Sequence, residues 1–218
     1  MAKEKFYPDS HVEIQGFTAR NYDRIMNLAS LGKYNGFIRN AVAEMNIQPG
    51  ETIFDLGCGT GRNACLMRPY LGDGGYYLGL DISELMEEQF RKNCGMYGNV
   101  EFQNRRADIP LELDRKFDTA FMSFVLHGFP PEIRPRVIKN IHDNLKPGGR
   151  FCLLDFGEFK LAEMPALHRW LFTTFECKYA FDFIERDWKA ILSEAGFGDF
   201  GEHFWFKHYV RLLAARKQ

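Results

Sequence analysis

The sequence predicts an α/β protein of three layers, in which a seven-stranded, mostly parallel sheet is covered by helices on both faces. Short apolar segments alternate with segments of helical period from Thr52 to Phe156, and turn residues separate them. Such alternation is typical of a parallel sheet that is buried on both sides. Residues 197–215 then predict a closing pair of strands, one of which is reversed.

The individual elements follow from apolar spacing and from turn signals such as Pro49-Gly50. Ahead of the first strand, residues 20–46 place apolar side chains three and four apart, which predicts two helical stretches interrupted near Gly32 and Gly36. The predicted strands are 52–54, 76–80, 100–102, 117–125, 150–156 and the pair within 197–215. The predicted helices between and after them are 62–71, 82–94, 131–145 and 185–196. Residues 146–149, Lys-Pro-Gly-Gly, are predicted to be the turn that ends the third of these helices.

All 218 residues are predicted to form a single domain, because the chain shows no repeat, low-complexity tract or polar linker. Its parts are a helical cap at 1–48, a cofactor-binding core at 49–157, an aromatic insert at 158–184, and a helix with two strands at 185–218.

Composition narrows the class of protein. The 28 Lys and Arg residues against 29 Asp and Glu give a formal net charge of −1, so no large positive field favours nucleic acid. The five cysteines form no C-x-x-C pair and predict reduced thiols in a cytoplasmic protein, and the six histidines lack the spacing of metal ligands. No signal peptide and no apolar run of about 18 residues is present, which predicts no membrane span.

A glycine-rich segment, Asp55-Leu56-Gly57-Cys58-Gly59-Thr60-Gly61, lies where the first strand meets the first helix of the core. Glycines there allow a tight turn and a close approach of a ligand, and the helix start offers N–H groups to a carboxylate. A nicotinamide-dependent oxidoreductase uses a similar turn. The carboxylate of Asp55, however, would repel a pyrophosphate and would suit the ammonium group of an amino-acid tail.

Two further acidic positions follow the next two strands. Asp81 ends the second strand, where a carboxylate can accept hydrogen bonds from ribose hydroxyls. Ala107-Asp108 follows the third strand and is expected to meet the adenine amino group. Open α/β sheets bind ligands at the carboxyl ends of their strands, so we expect all three acidic residues at one edge.

These segments, with Gly79-Leu80-Asp81-Ile82-Ser83, Phe117-Asp118 and Leu145-Lys146-Pro147-Gly148-Gly149, resemble the class I S-adenosylmethionine-dependent methyltransferases. Ala19-Arg20-Asn21-Tyr22-Asp23 and Ser123-Phe124-Val125-Leu126 make the chain similar to their ubiquinone/menaquinone-biosynthesis C-methyltransferase group. The likeness covers roughly residues 17–157 and implies a Rossmann-like methyltransferase fold with S-adenosylmethionine as cofactor. The pattern departs after Leu126, where His127-Gly128-Phe129-Pro130 replaces the Arg-Asn usual in the quinone enzymes. The cofactor-binding residues expected from motifs and resemblance are Tyr22, Asp55, Gly57, Cys58, Gly59, Thr60, Gly61, Asp81, Ile82, Ala107, Asp108 and Ser123.

Methyl transfer is an in-line displacement, so the enzyme mainly has to position the acceptor, and a base is needed only where the acceptor must lose a proton. His127 is the candidate catalytic base, because it follows the fourth strand directly and its pKa suits the task. Alternatively, it caps the next helix or orients the backbone. Asp155 and Glu158 could also contact an acceptor, although solvated loop carboxylates are the commoner outcome.

The insert at 158–184 is rich in aromatic residues and is expected to cover the substrate pocket as a lid. Alternatively it is core, because Leu167, Leu171 and Phe175 step by four like a buried helix face, or it is an exposed face for homodimerisation or peripheral membrane docking. The sequence thus favours methyl transfer from S-adenosylmethionine to a small apolar or aromatic acceptor. The rival functions are an inactive module that only binds the cofactor and a Rossmann-type NAD-dependent oxidoreductase.

Overall fold

A computed structural model of the chain describes residues 6–10 and 33–218, and Tyr22 and the predicted break at Gly32 lie outside these ranges. The strands are β1 (Thr52–Leu56), β2 (Tyr76–Asp81), β3 (Val100–Asn104), β4 (Phe117–Ser123), β5 (Leu145–Phe156), β6 (Phe197–Trp205) and β7 (Val210–Lys217). The helices are α1 (Lys33–Glu44), α2 (Arg62–Leu71), α3 (Glu84–Cys94), α4 (Arg134–Asn144), α5 (Ala166–Phe175), α6 (Lys178–Phe183) and α7 (Trp188–Glu194). Short 3₁₀ turns occupy Leu126–Gly128 and Leu161–Glu163.

The seven strands form one sheet in the order β3-β2-β1-β4-β5-β7-β6. Strands β1 to β5 pair in parallel, whereas β7 is antiparallel to both of its neighbours, β5 and β6. The predicted three-layer α/β fold with one reversed strand in the terminal pair is therefore confirmed. The central strands are apolar throughout because both faces are covered: Phe54 and Leu56 belong to the core on one side of the sheet, and Ile53 to the core on the other.

The predicted extents of three helices are wrong, one of them being the helix predicted at 185–196, which is α7, Trp188–Glu194. Helix α1 runs through Gly36 without the predicted interruption. A glycine inside a helix costs about 1 kcal/mol, and burial of residues such as Phe37 and Ile38 stabilises the helix by more than that. Helix α4 begins at Arg134 and not at Pro131, since residues 130–133 form a turn in which the Ile133 N–H donates to the Pro130 carbonyl at 2.9 Å.

The segment 146–149 is not a simple turn between helix and strand. Leu145 already pairs with Phe117, the register then shifts, and pairing resumes between Arg150 and Thr119. Gly148 supplies the left-handed backbone of this irregularity, with φ of 71°. Strand β4, in turn, ends at Ser123 because Phe124 adopts φ of 53°, which an extended strand cannot continue.

The irregular segment that carries Ala107-Asp108 is held by two side-chain amides of α4. Asn140 Nδ2 donates to the carbonyls of Ala107 at 2.7 Å and Ile109 at 2.6 Å. Asn144 Nδ2 donates to the Leu111 carbonyl at 3.0 Å. Since these carbonyls lie outside any strand, the amides replace the sheet hydrogen bonds and keep the segment in place after β3.

The insert divides into a buried and an exposed part. Phe172 and Phe183 are 9% and 0% exposed, whereas Leu167 and Phe175 are 64% and 66% exposed and Leu171 is 40% exposed. The interpretation of the Leu167, Leu171 and Phe175 face as buried core is therefore wrong, since α5 packs inward through the neighbouring Phe172. Across residues 6–10 and 33–218, no helix combines the length and apolar character that crossing a membrane requires.

We expect Gly79→Ala to destabilise the fold. Gly79 lies in β2, and a Cβ there would approach Cys58 Sγ to 2.6 Å and Phe90 Cε2 to 2.9 Å. Such overpacking costs about 1–3 kcal/mol, measurable by urea unfolding. The matched control is Gly36→Ala in α1, where a Cβ meets nothing within 4 Å and should stabilise the helix by up to about 1 kcal/mol. Equal stability of the Gly79 variant and the wild type would contradict this packing.

Candidate functional site at the carboxyl edge of the sheet

The glycine loop, residues 57–61, turns sharply between β1 and α2. Gly57, Gly59 and Gly61 have φ of 82°, 54° and 80°, a region that residues with a Cβ rarely adopt. The N–H groups of Gly57 and Cys58 both donate to the Leu80 carbonyl of β2, at 2.7 and 3.1 Å. A Cβ at Gly57 would also lie 2.5 Å from Val125. The loop therefore packs closely between the carboxyl ends of β2 and β4.

Asp55 lies fully buried in β1, just before the loop. The Tyr77 hydroxyl donates to its Oδ2, while its Oδ1 is buried without a hydrogen-bond partner among the described residues. Burial, together with the charge of Asp81, raises the pKa of Asp55 to about 7, against the hydrogen bond from Tyr77 and a weaker contribution from the nearby Asn63 side chain. An unpartnered carboxylate oxygen of this kind calls for a cationic or donor group in a ligand. Tyr77 gives no sequence signal, because it reads as an ordinary strand residue.

Asp81 ends β2 and holds the loop from the other side. Its Oδ2 accepts from the Gly59 N–H at 3.0 Å, and its Oδ1 accepts from the Ser83 N–H at 3.0 Å. Burial raises the pKa of Asp81, and these backbone donors oppose the shift. The carboxylate therefore fixes both the middle of the glycine loop and the start of α3, at the position where the sequence predicts a ribose contact.

Both oxygens of the Asp108 carboxylate already accept hydrogen bonds from neighbouring side chains. Arg106 donates to both of its oxygens, at 3.0 and 2.6 Å, and the Tyr7 hydroxyl donates to Oδ2 at 2.6 Å. Burial favours the neutral acid, but Arg106 and Tyr7 outweigh it and lower the pKa of Asp108. Sequence reasoning missed both partners, because neither position belongs to a motif.

The other predicted cofactor residues are distributed around the loop. Cys58 and Thr60 are buried at 4% and 3% exposure, and the Thr60 carbonyl accepts from Asn93 Nδ2 at 2.9 Å. Ile82 and Ser123 are partly exposed at the ends of β2 and β4. The structure therefore places Asp55, the loop residues, Asp81, Ile82 and Ser123 along the carboxyl ends of β1, β2 and β4.

His127 lies in the 3₁₀ turn after β4 and is 5% exposed. Its Nδ1 is 2.7 Å from Asp155 Oδ1, and its backbone N–H donates to Asp155 Oδ2 at 3.2 Å. Asp155 is 1% exposed, so the interpretation of this residue as a solvated loop carboxylate is wrong. The pairing depends on the register of β4 and β5, in which Ser123 lies opposite Leu154, and the sequence alone does not give this register.

Three charged side chains, those of Asp155, Glu176 and Arg134, affect the pKa of the His127 ring. Burial lowers the pKa of the imidazole, but the charge of Asp155 and the more distant Glu176 outweigh burial, and the net effect is a raised pKa. The Nε2 atom lies 3.6 Å from Glu176 Oε2, and Arg134 opposes the shift. The ring is thus a base with one nitrogen fixed by a carboxylate.

Aromatic rings surround this pair. The His127 ring lies 5.0 Å from that of Phe156 and 6.2 Å from that of Phe183, measured between centroids. Phe156 in turn contacts Phe172 at 5.0 Å and Phe124 at 6.1 Å. Because Phe172 and Phe183 come from the insert, the insert packs directly against the surroundings of His127.

A buried guanidinium joins the His127 turn to the insert. Arg134 donates to the carbonyls of Phe129 at 2.9 Å, His127 at 3.3 Å and Tyr179 at 2.7 Å, and it pairs with Asp182 at 2.6 Å. No sequence signal identifies this arginine, because most of its partners are main-chain carbonyls.

Glu158, the other candidate acceptor contact, has structural partners instead. Its Oε1 lies 3.0 Å from Arg211 Nη2 and accepts from the Trp188 N–H at 3.1 Å. Its carboxylate therefore ties β7 to the start of α7, where the backbone N–H groups of a helix require acceptors.

The chain is similar in sequence to known methyltransferases. Residues 53–149 match a family described as a methyltransferase domain. A demethylmenaquinone methyltransferase of Symbiobacterium thermophilum is 31% identical over 140 residues, which cover 63% of this chain and 55% of the relative. A ubiquinone/menaquinone biosynthesis C-methyltransferase of an Enterobacter species is 29% identical over 143 residues, covering 64% and 56%. The chain thus spans little more than half the length of these curated relatives.

Among solved structures, magnesium protoporphyrin IX methyltransferase of Synechocystis, with bound SAH, superposes with a TM-score of 0.60 at 23% identity, covering 94% of this chain and 89% of that one. This likeness shows a shared fold. The chain therefore shares sequence with the methyltransferase-domain family over residues 53–149, and its described residues share the fold of this solved structure.

Proposed function

We propose that the chain binds S-adenosylmethionine at the glycine loop and transfers its methyl group to a small apolar or aromatic acceptor held beside His127. The observation that carries this proposal is the convergence of two sites at one sheet edge. The glycine loop with Asp55 and Asp81 lies at the ends of β1 and β2, and the His127–Asp155 pair lies at the ends of the neighbouring β4 and β5.

The residues of the loop fit the proposed cofactor. The unpartnered Oδ1 of Asp55 suits the ammonium group of an amino-acid tail, and the start of α2, which lacks a side-chain cap, suits its carboxylate. Asp81 would accept from ribose hydroxyls, and the segment at Ala107-Asp108 would border the adenine through its backbone, since the Asp108 carboxylate is held by Arg106. When bound, the cofactor supplies a sulfonium-activated methyl group.

The chain's own residues would orient the acceptor and remove its proton. Since Asp155 holds Nδ1 of His127, Nε2 is the atom that can take a proton from an acceptor hydroxyl or enol. The rings of Phe124, Phe156 and Phe172 exclude water and favour an apolar or aromatic acceptor. Relatives named for quinone methylation point to the same chemical class.

The rival functions fit the geometry less well. An NAD-dependent oxidoreductase needs a pyrophosphate at the loop, where the carboxylates of Asp55 and Asp81 would repel it. A module that binds the cofactor without turnover has no use for an imidazole whose two nitrogens face Asp155 and Glu176 in a buried aromatic site.

Asp81→Ala should weaken S-adenosylmethionine binding by about 1–3 kcal/mol, the usual range for hydrogen bonds to a charged group. The affinity is measured by calorimetric titration of the folded variant. Asp143→Ala is the matched control, because that carboxylate is 48% exposed near the end of α4 and should leave affinity unchanged. Undiminished affinity in a folded Asp81 variant would refute the ribose assignment.

Cofactor affinity should rise with pH through about 7, the pKa of Asp55 in the ligand-free protein. The sign follows from charge: only the ionised carboxylate attracts the ammonium group, so binding releases the proton that Asp55 carries below this pH. Titrations with S-adenosylhomocysteine across this range test the dependence. Asp55→Asn should bind more weakly and lose this pH dependence, and a wild-type affinity that falls with rising pH there would contradict the assignment.

His127→Ala should lower turnover by about 10²–10⁴-fold while sparing cofactor affinity. Turnover is measured as S-adenosylhomocysteine release with a panel of small phenols and quinols. In the wild type, turnover should rise with pH about a midpoint above the ordinary histidine value of about 6.5, because the pKa of His127 is raised. Glu176→Gln removes one of the charges that raise this pKa, so it should shift the midpoint to lower pH. A midpoint that stays in place would argue against His127 as the base.

A further inference from the structure

Two cysteines meet directly beneath the glycine loop. Cys65 lies in the first two turns of α2, Cys94 is the last residue of α3, and their Sγ atoms are 2.8 Å apart. Cys65 is partly exposed, whereas Cys94 is fully buried. Neither residue belongs to a sequence motif, and because they are 29 positions apart, their spacing does not predict that they are in contact.

The geometry of the pair suits a disulfide. A disulfide bond is about 2.05 Å long, so the two sulfurs need to approach by roughly 0.8 Å, within reach of small side-chain rotations. Cys65 also lies close to the start of α2, where the helix dipole favours a thiolate, and its partial exposure admits small oxidants.

We propose that Cys65 and Cys94 form a reversible oxidative modification site whose oxidant is a small peroxide. The Cys65 sulfur attacks a peroxide oxygen, so an S–O bond forms, the O–O bond breaks and water leaves. The Cys94 sulfur then displaces the sulfenic oxygen as a second water, and the S–S bond forms. Two thiols lose two electrons and two protons in total, and hydrogen peroxide is reduced to two molecules of water.

Oxidation at this site acts on the glycine loop. In the reduced protein the Cys94 thiol donates to the Gly61 carbonyl at 3.2 Å, and a Cβ at Gly61 would lie 2.9 Å from Cys94 Sγ. The adjacent Asn93 holds the Thr60 carbonyl at 2.9 Å. The disulfide removes the proton that the Cys94 thiol donates to the Gly61 carbonyl, and it moves Cys94 Sγ toward α2. The contacts between the end of α3 and the glycine loop are therefore altered. This inference rests on the proposed function, and it predicts that the oxidised protein binds the cofactor more weakly than the reduced protein.

The test treats the reduced 218-residue chain with hydrogen peroxide and maps its peptides by mass spectrometry. We expect a linked peptide containing Cys65 and Cys94 that disappears on reduction with dithiothreitol. The Cys65→Ser variant should not form it, whereas Cys152→Ser, in the middle of β5, should form it as the wild type does. Calorimetric titration with S-adenosylhomocysteine should then show roughly three- to tenfold weaker binding after oxidation, the loss expected for one hydrogen bond. Reduction should restore affinity, and Cys65→Ser should be insensitive to peroxide.

The possible outcomes test the disulfide, its effect on the loop and the proposed function separately. A Cys65 that is oxidised to sulfinic acid without a linked peptide would overturn the disulfide. A linked peptide with unchanged affinity would overturn its effect on the loop. Failure of the reduced protein to bind S-adenosylhomocysteine would overturn the proposed function, while the peptide map would still decide whether the disulfide forms.

Discussion

The close packing of the glycine loop against the ends of β2 and β4 is the constraint on which the rest of the site depends. Two backbone N–H groups share the Leu80 carbonyl, a third is held by Asp81, and Val125 fills the space where a Cβ of Gly57 would lie. This arrangement leaves no room for a side chain at Gly57, and a Cβ at Gly61 would likewise lie 2.8 Å from the Phe90 ring. It also carries Asp55 and Asp81 to the same edge of the sheet.

The second half of the site is coupled to the first through Val125. This residue packs on Gly57, and two residues later the chain presents His127 to Asp155. Arg134 then links the His127 turn to the insert through main-chain carbonyls. The glycine loop and the His127–Asp155 pair therefore rest on one continuous set of contacts, and the insert packs against the surroundings of His127.

Much of the fold could be predicted from the sequence, because the strands are short apolar runs whose order of appearance fixes a parallel sheet. The loop and Asp81 could be predicted because they belong to local motifs at strand ends. The pairing of His127 with Asp155, the engagement of Asp108 by Arg106, and the contact of Cys65 with Cys94 depend on neighbours far apart in sequence. The sequence does not predict the buried face of α5 for a related reason: periodicity shows that a helix has an apolar face, but three-dimensional packing decides which face turns inward.

The most direct test of the central claim is a calorimetric titration of the reduced wild-type protein with S-adenosylmethionine, S-adenosylhomocysteine and, in parallel, NAD and NADH. Both sulfur nucleosides share the amino-acid tail, ribose and adenine that the loop, Asp55 and Asp81 are proposed to bind, whereas the dinucleotides place a pyrophosphate against these carboxylates. The account predicts saturable binding of both sulfur nucleosides and none of NAD or NADH. Binding of a dinucleotide, with no binding of S-adenosylmethionine, would contradict it.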